Sequence, residues 1–379
     1  MKLITIVPRI PPAIDGVGDY ALSIARLLRE NLGVLSQFIV ADLNWPVTER
    51  VEGFEARSLS SHSTDELVDL LNLLERESTE GARVLLHYEG YGYASRGCPA
   101  WLVNALERWR LASSKRSLVT LFHELYATGP PWTSSFWLSP LQKNLATRVA
   151  QASDQCLTSL ARYARVVRQM SGKPANNVTS IPVFSSIGEP ESTLPLVERP
   201  RRLVVFGTRG RRIEVYKKTA PELNRMCNVL GITDLLDIGR SVELDIPSLI
   251  NVPITKLGEL PGAEVSSVLS DSIVGVLDYS AAFLAKSTIF AAYCAHRVIP
   301  IVANYSDPAP GDGLEQGRHY WPTTIESKCL DLVGGQVVAD NAFAWYQTHN
   351  LSSHARTLAD CLIGREGSQS EALASHVHG

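Results

Sequence analysis

Strand-length apolar runs alternate with helix-length amphipathic segments along almost the whole chain, and the alternation stops once and then starts again. In the first half the runs are "KLITIVP", "LSQFIVADL", "ARVLLHYEG", "RSLVTLFHEL", "DQCLTSL" and "VTSIPVFSSIG". Between them lie helical stretches such as "GDYALSIARLLREN", with Leu22, Ala25 and Leu28 on one face, "SPLQKNLATRVAQAS", and "LARYARVVRQMSG", closed by Gly172. Crossover helices make neighbouring strands parallel, and a parallel sheet needs helices over its faces. "STDELVDLLNLLERE" opens with Ser63 and Glu66 at capping-box spacing, which predicts a helix start there. Glu189 to Arg202, "EPESTLPLVERPRR", holds three prolines and no apolar period, and reads as a linker. The plan then repeats, with strands "RLVVFGT", "DLLDIG", "IVGVLDY" and "VIPIVAN" around helices "YKKTAPELNRMCNVLG", "GAEVSSVLSDS" and "KSTIFAAYCAHR". "NAFAWYQTHNLSSHARTLADCLIG" predicts one or two more helices, closed by Gly364. The expected division is a domain over residues 1–190, a second over 191–340, and C-terminal helices with a polar tail over 341–379, packing back on the first domain. Two open α/β sheets place ligands at the carboxyl ends of their strands, in a crevice between the domains.

A net charge of -3 argues against a general nucleic-acid binder, and no apolar run approaches the roughly 20 residues that cross a bilayer. The start of the chain lacks the basic region and small-residue cleavage site of a secretory signal. The cysteines Cys98, Cys156, Cys227, Cys294, Cys329 and Cys361 are widely spaced, without a CxxC pair or a histidine at ligand spacing. A cytoplasmic protein with reduced thiols is expected.

Four places carry candidate chemistry. Gly16 and Gly18 precede a helix and, with Ala21, satisfy G-x-G-x-x-A, while Asp42 ends the next strand. A dinucleotide fingerprint turns tightly out of its strand, whereas Pro8 to Asp15 intervene here, so an anion or sugar site is the better expectation. The second place follows the strand that ends at Gly207. Arg209, Arg211, Arg212, Lys217 and Lys218 come within ten residues, the two lysines at the expected opening of a helix. Guanidinium forks and ammonium groups at a strand's carboxyl end suit a diphosphate. Third, His87 and His123 end two strands of the first domain, beside Tyr88, Tyr91, Tyr93 and Trp101; this grouping suits a carbohydrate acceptor or a packed core equally. Fourth, Lys286, Ser287 and Thr288 open a helix, as ordinary caps or as a phosphate cradle. There is no D-x-D, H-E-x-x-H, Walker or G-x-S-x-G motif, so no metal site and no serine hydrolase is expected.

"PRIPPAIDGVGDYALSIARLL", "VTLFHEL", "VVFGTRGRR" with its following lysines, and "IFAAYCAHRVIPIV" occur in the order seen in the GT-B glycosyltransferases. Over nearly its whole length the chain resembles the retaining group that is family four of the carbohydrate-enzyme scheme. The resemblance implies two Rossmann-like domains facing each other across a cleft, and sugar transfer from a nucleotide diphosphate sugar without metal or other cofactor. It implies that Gly16 and Gly18 lie near the donor phosphates, that His123 lies close to the reacting sugar, and that Arg209 with Lys217 or Lys218 neutralises the leaving diphosphate. Gly207, Arg211, Lys286, Ser287 and Thr288 complete the expected donor side; His87, Tyr91 and Tyr93 are the expected acceptor side. The partners implied are a nucleotide sugar and a small-molecule, glycan or lipid-linked acceptor.

One feature departs from that family. Its two glutamates, seven residues apart, correspond to Leu284 or Ala285 and Ala292 or Tyr293, and no Glu occurs between Glu264 and Glu315. The alternative expectation is therefore a catalytically inactive member that binds a nucleotide or glycan as partner of an active transferase. An oxidoreductase using Gly16, Gly18 and Asp42 is disfavoured by the proline-rich loop.

Overall fold

The computed structural model describes residues 1–13, 15–46, 50–77, 82–243, 245–246, 249–303, 311–323 and 330–363; Cys329 and Gly364 lie outside them. The chain forms two compact units, one of residues 1–181 together with those from His354 on, the other of Pro182–Ser353.

The first unit carries β1 (Lys2–Val7), α1 (Gly16–Leu32), β2 (Leu35–Val40), β3 (Arg50–Val51), β4 (Phe54–Ser58), α2 (Thr64–Arg76), β5 (Arg83–Tyr88) and the single turn α3 (Gly90–Tyr93). It continues with α4 (Ala100–Leu111), β6 (Ser117–Phe122), α5 (Ser134–Ala152), β7 (Gln155–Thr158), α6 (Ala161–Ser171) and β8 (Val178–Ser180). Its sheet has the order β3-β4-β2-β1-β5-β6-β7-β8. Every pairing is parallel except β3 with β4. The central strands read as continuous apolar runs because both faces are covered. Ile4, Ile6 and Leu86 pack with Leu106 and Trp109 on one side, and Val7, Phe38 and Val40 with Ala21, Leu22 and Ala25 on the other.

The second unit holds β9 (Arg202–Phe206), α7 (Arg209–Leu230), β10 (Asp234–Ile238), β11 (Ile254–Gly258), α8 (Gly262–Ser270), β12 (Val274–Leu277), α9 (Thr288–Ala295), β13 (Ile299–Val302), β14 (Trp321–Pro322) and α10 (Leu332–Gln347). The last helix, α11 (Leu351–Ile363), begins here and passes into the first unit at His354. The second sheet is parallel throughout, in the order β11-β10-β9-β12-β13-β14. Succession therefore reverses between β9 and β12, and a topological switch point opens a ligand crevice at the strand ends.

Several local expectations need correction. Ser63 makes no side-chain cap bond; the Glu66 carboxylate turns instead to the amides and hydroxyls of Ser60 and Ser61. The proline-rich segment before β9 is docked rather than loose: Leu196 is buried, and the Arg199 guanidinium donates to the carbonyls of Leu194, Ser272 and His296. The helix expected to open at Lys217 begins at Arg209, so all five cations lie within it.

Candidate functional site

The pocket of the second unit forms where β9 and β12 end and α7 and α9 begin. Gly207 leaves β9 with φ 132°, in the region that favours glycine, and a Cβ there would come within 2.5 Å of Ile289 Cδ1. The turn into α7 can therefore sit tight against the start of α9. Phe206, Thr208, Arg211, Asp278, Tyr279, Lys286, Ser287 and Thr288 are among the residues lining a pocket of ≈ 190 Å³. That is smaller than the roughly 300–1,000 Å³ of a pocket enclosing a drug-sized ligand. Ser287 caps α9 by accepting from the Phe290 amide at 3.2 Å, as its type predicts.

Each of the three arginines that open α7 has a carboxylate partner. Arg209 pairs with Glu243 at 3.2 Å, and Arg212 is buried against Asp237, donating also to the carbonyls of Gly207 and Arg240. Tyr216 donates its hydroxyl to the same Asp237, and burial with that charge pushes the phenol far above its usual range. Arg212 is thus a structural strut. Arg211 alone of the three meets its acid in the pocket, 3.5 Å from Asp278 Oδ2 and with its guanidinium over the Tyr279 ring, 5.2 Å from the centroid. Lys218, two helical turns on and on the same face, is 3.5 Å from Asp278 Oδ1 and 3.1 Å from Glu214. Its hydrogen bond to Glu214 raises the ammonium above its ordinary value, with Asp278 adding to the effect.

This geometry redistributes the expected roles. Arg211, Lys286, Ser287 and Thr288 come together around the pocket, with Lys218 joined through Asp278 and Gly207 in the turn between the lining residues Phe206 and Thr208. Arg209 and Lys217 do not line it; exposure does not set them apart, since Arg211 and Lys218 are exposed as well. The lysine expected at a helix start is in the third turn, where the helix direction, not the terminus, decides which way it points. Asp278 carried no motif in the sequence; a single Asp after a strand has no signature until Arg211 and Lys218 fold against it.

In the first unit Gly16 and Gly18 do not present an open anion site. Asp15, buried and paired with Arg9, accepts from the Val17 and Gly18 amides at 3.0 Å each, so the α1 terminus already holds a carboxylate. Gly18 has a packing reason instead: a Cβ there would lie 2.2 Å from the Arg9 carbonyl oxygen.

The acceptor side also needs correction. Tyr93 is 1% exposed and its hydroxyl donates to the carbonyls of Ile6 and His87; it is core. His87 is equally buried, and desolvation lowers its imidazole to about 3, so it stays neutral. Tyr91 remains exposed at 46%, its hydroxyl accepting from Gln142. His123, half-buried, is joined to His87 through Nδ1 and Nε2 at 3.0 Å. Tyr20 stands edge-on to both imidazoles, and its hydroxyl lies 2.7 Å from His354 Nδ1. Nothing in the sequence signals that Tyr20 and His354 meet.

Among the described residues no group of three or more His, Cys, Asp and Glu is placed to hold a metal ion, and no helix is long and apolar enough to cross a membrane.

No family model and no curated protein matches the sequence. Solved structures do match. The lipopolysaccharide outer core galactosyltransferase WaaB superposes with a TM-score of 0.61 at 12% identity, over 96% of this chain and 100% of that one. WaaG, a glycosyltransferase involved in lipopolysaccharide biosynthesis, gives 0.55 at 11% identity, again over 96% and 100%. The fold is GT-B. A protein described as a UDP-N-acetylglucosamine 2-epimerase, from Listeria monocytogenes, also matches, with a TM-score of 0.56 at 12% identity over 96% of each chain. The GT-B fold thus serves proteins described by different reactions, and the reaction has to be argued from the pocket.

Proposed function

We propose that this chain is a glycosyltransferase that takes a nucleotide diphosphate sugar and seats the diphosphate in the pocket between the ends of β9 and β12. The observation that carries the reading is the convergence of Arg211, Lys218 and Lys286 with the opening turn of α9 at that switch point. Departure of the nucleoside diphosphate builds negative charge on its oxygens. Cations and helix-terminal amides fixed around them bind that charge more strongly in the transition state than before it, which lowers the barrier. No metal ion is needed for this neutralisation. On the acceptor side His123 and Tyr91 are the groups that fit, facing a small-molecule, glycan or lipid-linked acceptor. By resemblance, transfer retains the anomeric configuration. A cytoplasmic location belongs to the same proposal, resting on five free cysteines among the described residues.

Turnover of a panel of UDP-, GDP- and ADP-sugars tests it. Arg211→Ala and Lys286→Ala should each lower turnover on the order of 10²-fold. Arg209→Ala and Lys217→Ala should leave it within about twofold, and EDTA should not change it. Large losses in the second pair with none in the first would move the diphosphate elsewhere. Proton NMR of the first-formed product reads the stereochemistry.

A second reading has one observation in its favour. Leu284, Ala285, Ala292 and Tyr293, where the resembling family carries its paired glutamates, are all buried, and Tyr293 donates to the Val276 carbonyl. A non-catalytic binder of nucleotide or glycan would show calorimetric binding of a nucleotide sugar with no transfer to any acceptor.

A further inference from the structure

Asp278 is 5% exposed, follows β12 directly and lines the pocket. Its cationic neighbours hold it only loosely. Arg211 reaches Oδ2 at 3.5 Å, and Oδ1 has the Lys218 ammonium at 3.5 Å and, among the described residues, accepts no hydrogen bond of normal geometry. Charge-assisted N–H to carboxylate bonds run about 2.7–2.9 Å, and an ionised carboxylate offers about four lone-pair sites. Most of that acceptor capacity is therefore unfilled in a nearly buried group, a costly arrangement unless something else fills it. A ligand made only of phosphate cannot do so, because it would bring like charge against Asp278 and compete for Arg211 and Lys218. A ligand that joins phosphate to hydroxyl groups satisfies both halves of the pocket.

We infer that Asp278 is the hydroxyl-binding residue of this site, accepting from neighbouring hydroxyls of the ligand while Arg211, Lys218 and Lys286 turn to its phosphates. The inference rests on the proposed function and deepens it. The pocket selects a phosphorylated polyol over a bare polyphosphate, and the resident ion pairs are exchanged when the ligand enters. The hydroxyls come either from the ribose or from the transferred sugar, and both present neighbouring hydroxyl groups.

Calorimetry on the full chain decides it, with inorganic pyrophosphate, UDP, GDP, ADP and the corresponding nucleotide sugars as probes. In Asp278→Ala, pyrophosphate should bind about tenfold more tightly, because a like charge has gone. The nucleotide or nucleotide sugar that binds the wild type best should bind about tenfold more weakly, the size of one or two lost bonds to a charged acceptor. Asp278→Asn, of nearly the same shape, serves if the alanine variant does not fold; it should tighten pyrophosphate as well and weaken the hydroxyl-bearing ligand less. The 2′,3′-dideoxy nucleoside diphosphate separates the sources. If ribose is held, it binds the wild type about tenfold more weakly than its parent; if the sugar is held, the two bind alike and only the nucleotide sugar loses affinity in the variant. Equal changes for pyrophosphate and for every hydroxyl-bearing ligand would reduce Asp278 to a counter-ion and overturn the inference alone. Absence of binding of any probe to the wild type would overturn the proposed function with it.

Discussion

His87 Nδ1 lies 3.0 Å from His123 Nε2, at the carboxyl ends of the neighbouring strands β5 and β6. One ring must donate and the other accept, so the two imidazoles cannot both carry a full complement of protons. Burial holds His87 at about 3, against 6.5 ordinarily. Between those values the unfolded chain binds a proton that the folded chain refuses. Stability is therefore present above pH 6.5 and is lost on acidification, by up to about 1.4 kcal/mol per pH unit from this group. In melting curves collected from pH 7 to 4, His87→Asn should show a shallower loss than the wild type. Parallel curves would mean that His87 takes no part.

The two glycines of the first loop should separate cleanly. A Cβ at Gly16 meets nothing within 4 Å, and Gly16→Ala should be neutral or stabilise by up to about 1 kcal/mol. At Gly18 the Cβ meets a backbone carbonyl that no rotamer change can move, so Gly18→Ala should cost about 1–3 kcal/mol in urea unfolding. Equal midpoints for the two variants would contradict the close approach of Gly18 to the Arg9 carbonyl.

Arg212 and Asp237 are buried together, and removing one leaves the other charge uncompensated. Arg212→Ala should destabilise by about 3–5 kcal/mol, whereas Arg212→Met combined with Asp237→Leu should cost much less. Chemical denaturation of the single and double variants measures the difference, and an additive double variant would rule the pairing out.

The Tyr20 hydroxyl and His354 Nδ1, 334 positions apart in sequence, join α1 to the part of α11 that belongs to the first unit. A double-mutant cycle with Tyr20→Phe and His354→Phe should give a coupling of about 0.5–3 kcal/mol. A coupling of zero would make the contact incidental.

The alternation of strand and helix was legible because its cause is local. A strand buried on both faces must be apolar along its length, and β1, β5, β9 and β12 announce that without reference to any neighbour. The helix ends at Gly172 and Gly231 were readable for the same reason. The start of α7 was not. The expected helix opened at the two lysines, because the acids that pair with Arg209, Arg211 and Arg212 are not their neighbours in sequence. Their partners Glu243, Asp278 and Asp237 arrive from other segments.

The sequence by itself determined the two parallel sheets, the cationic stretch behind β9 and the capped start of α9, each a matter of period or residue type over a few neighbouring positions. Only the tertiary structure decided which cations enter the pocket, gave Asp278 its place among them, and turned Tyr93 and His87 into core. Those outcomes depend on which side chains meet across the sheet, 67 residues apart for Arg211 and Asp278, and no local pattern encodes a meeting at that distance.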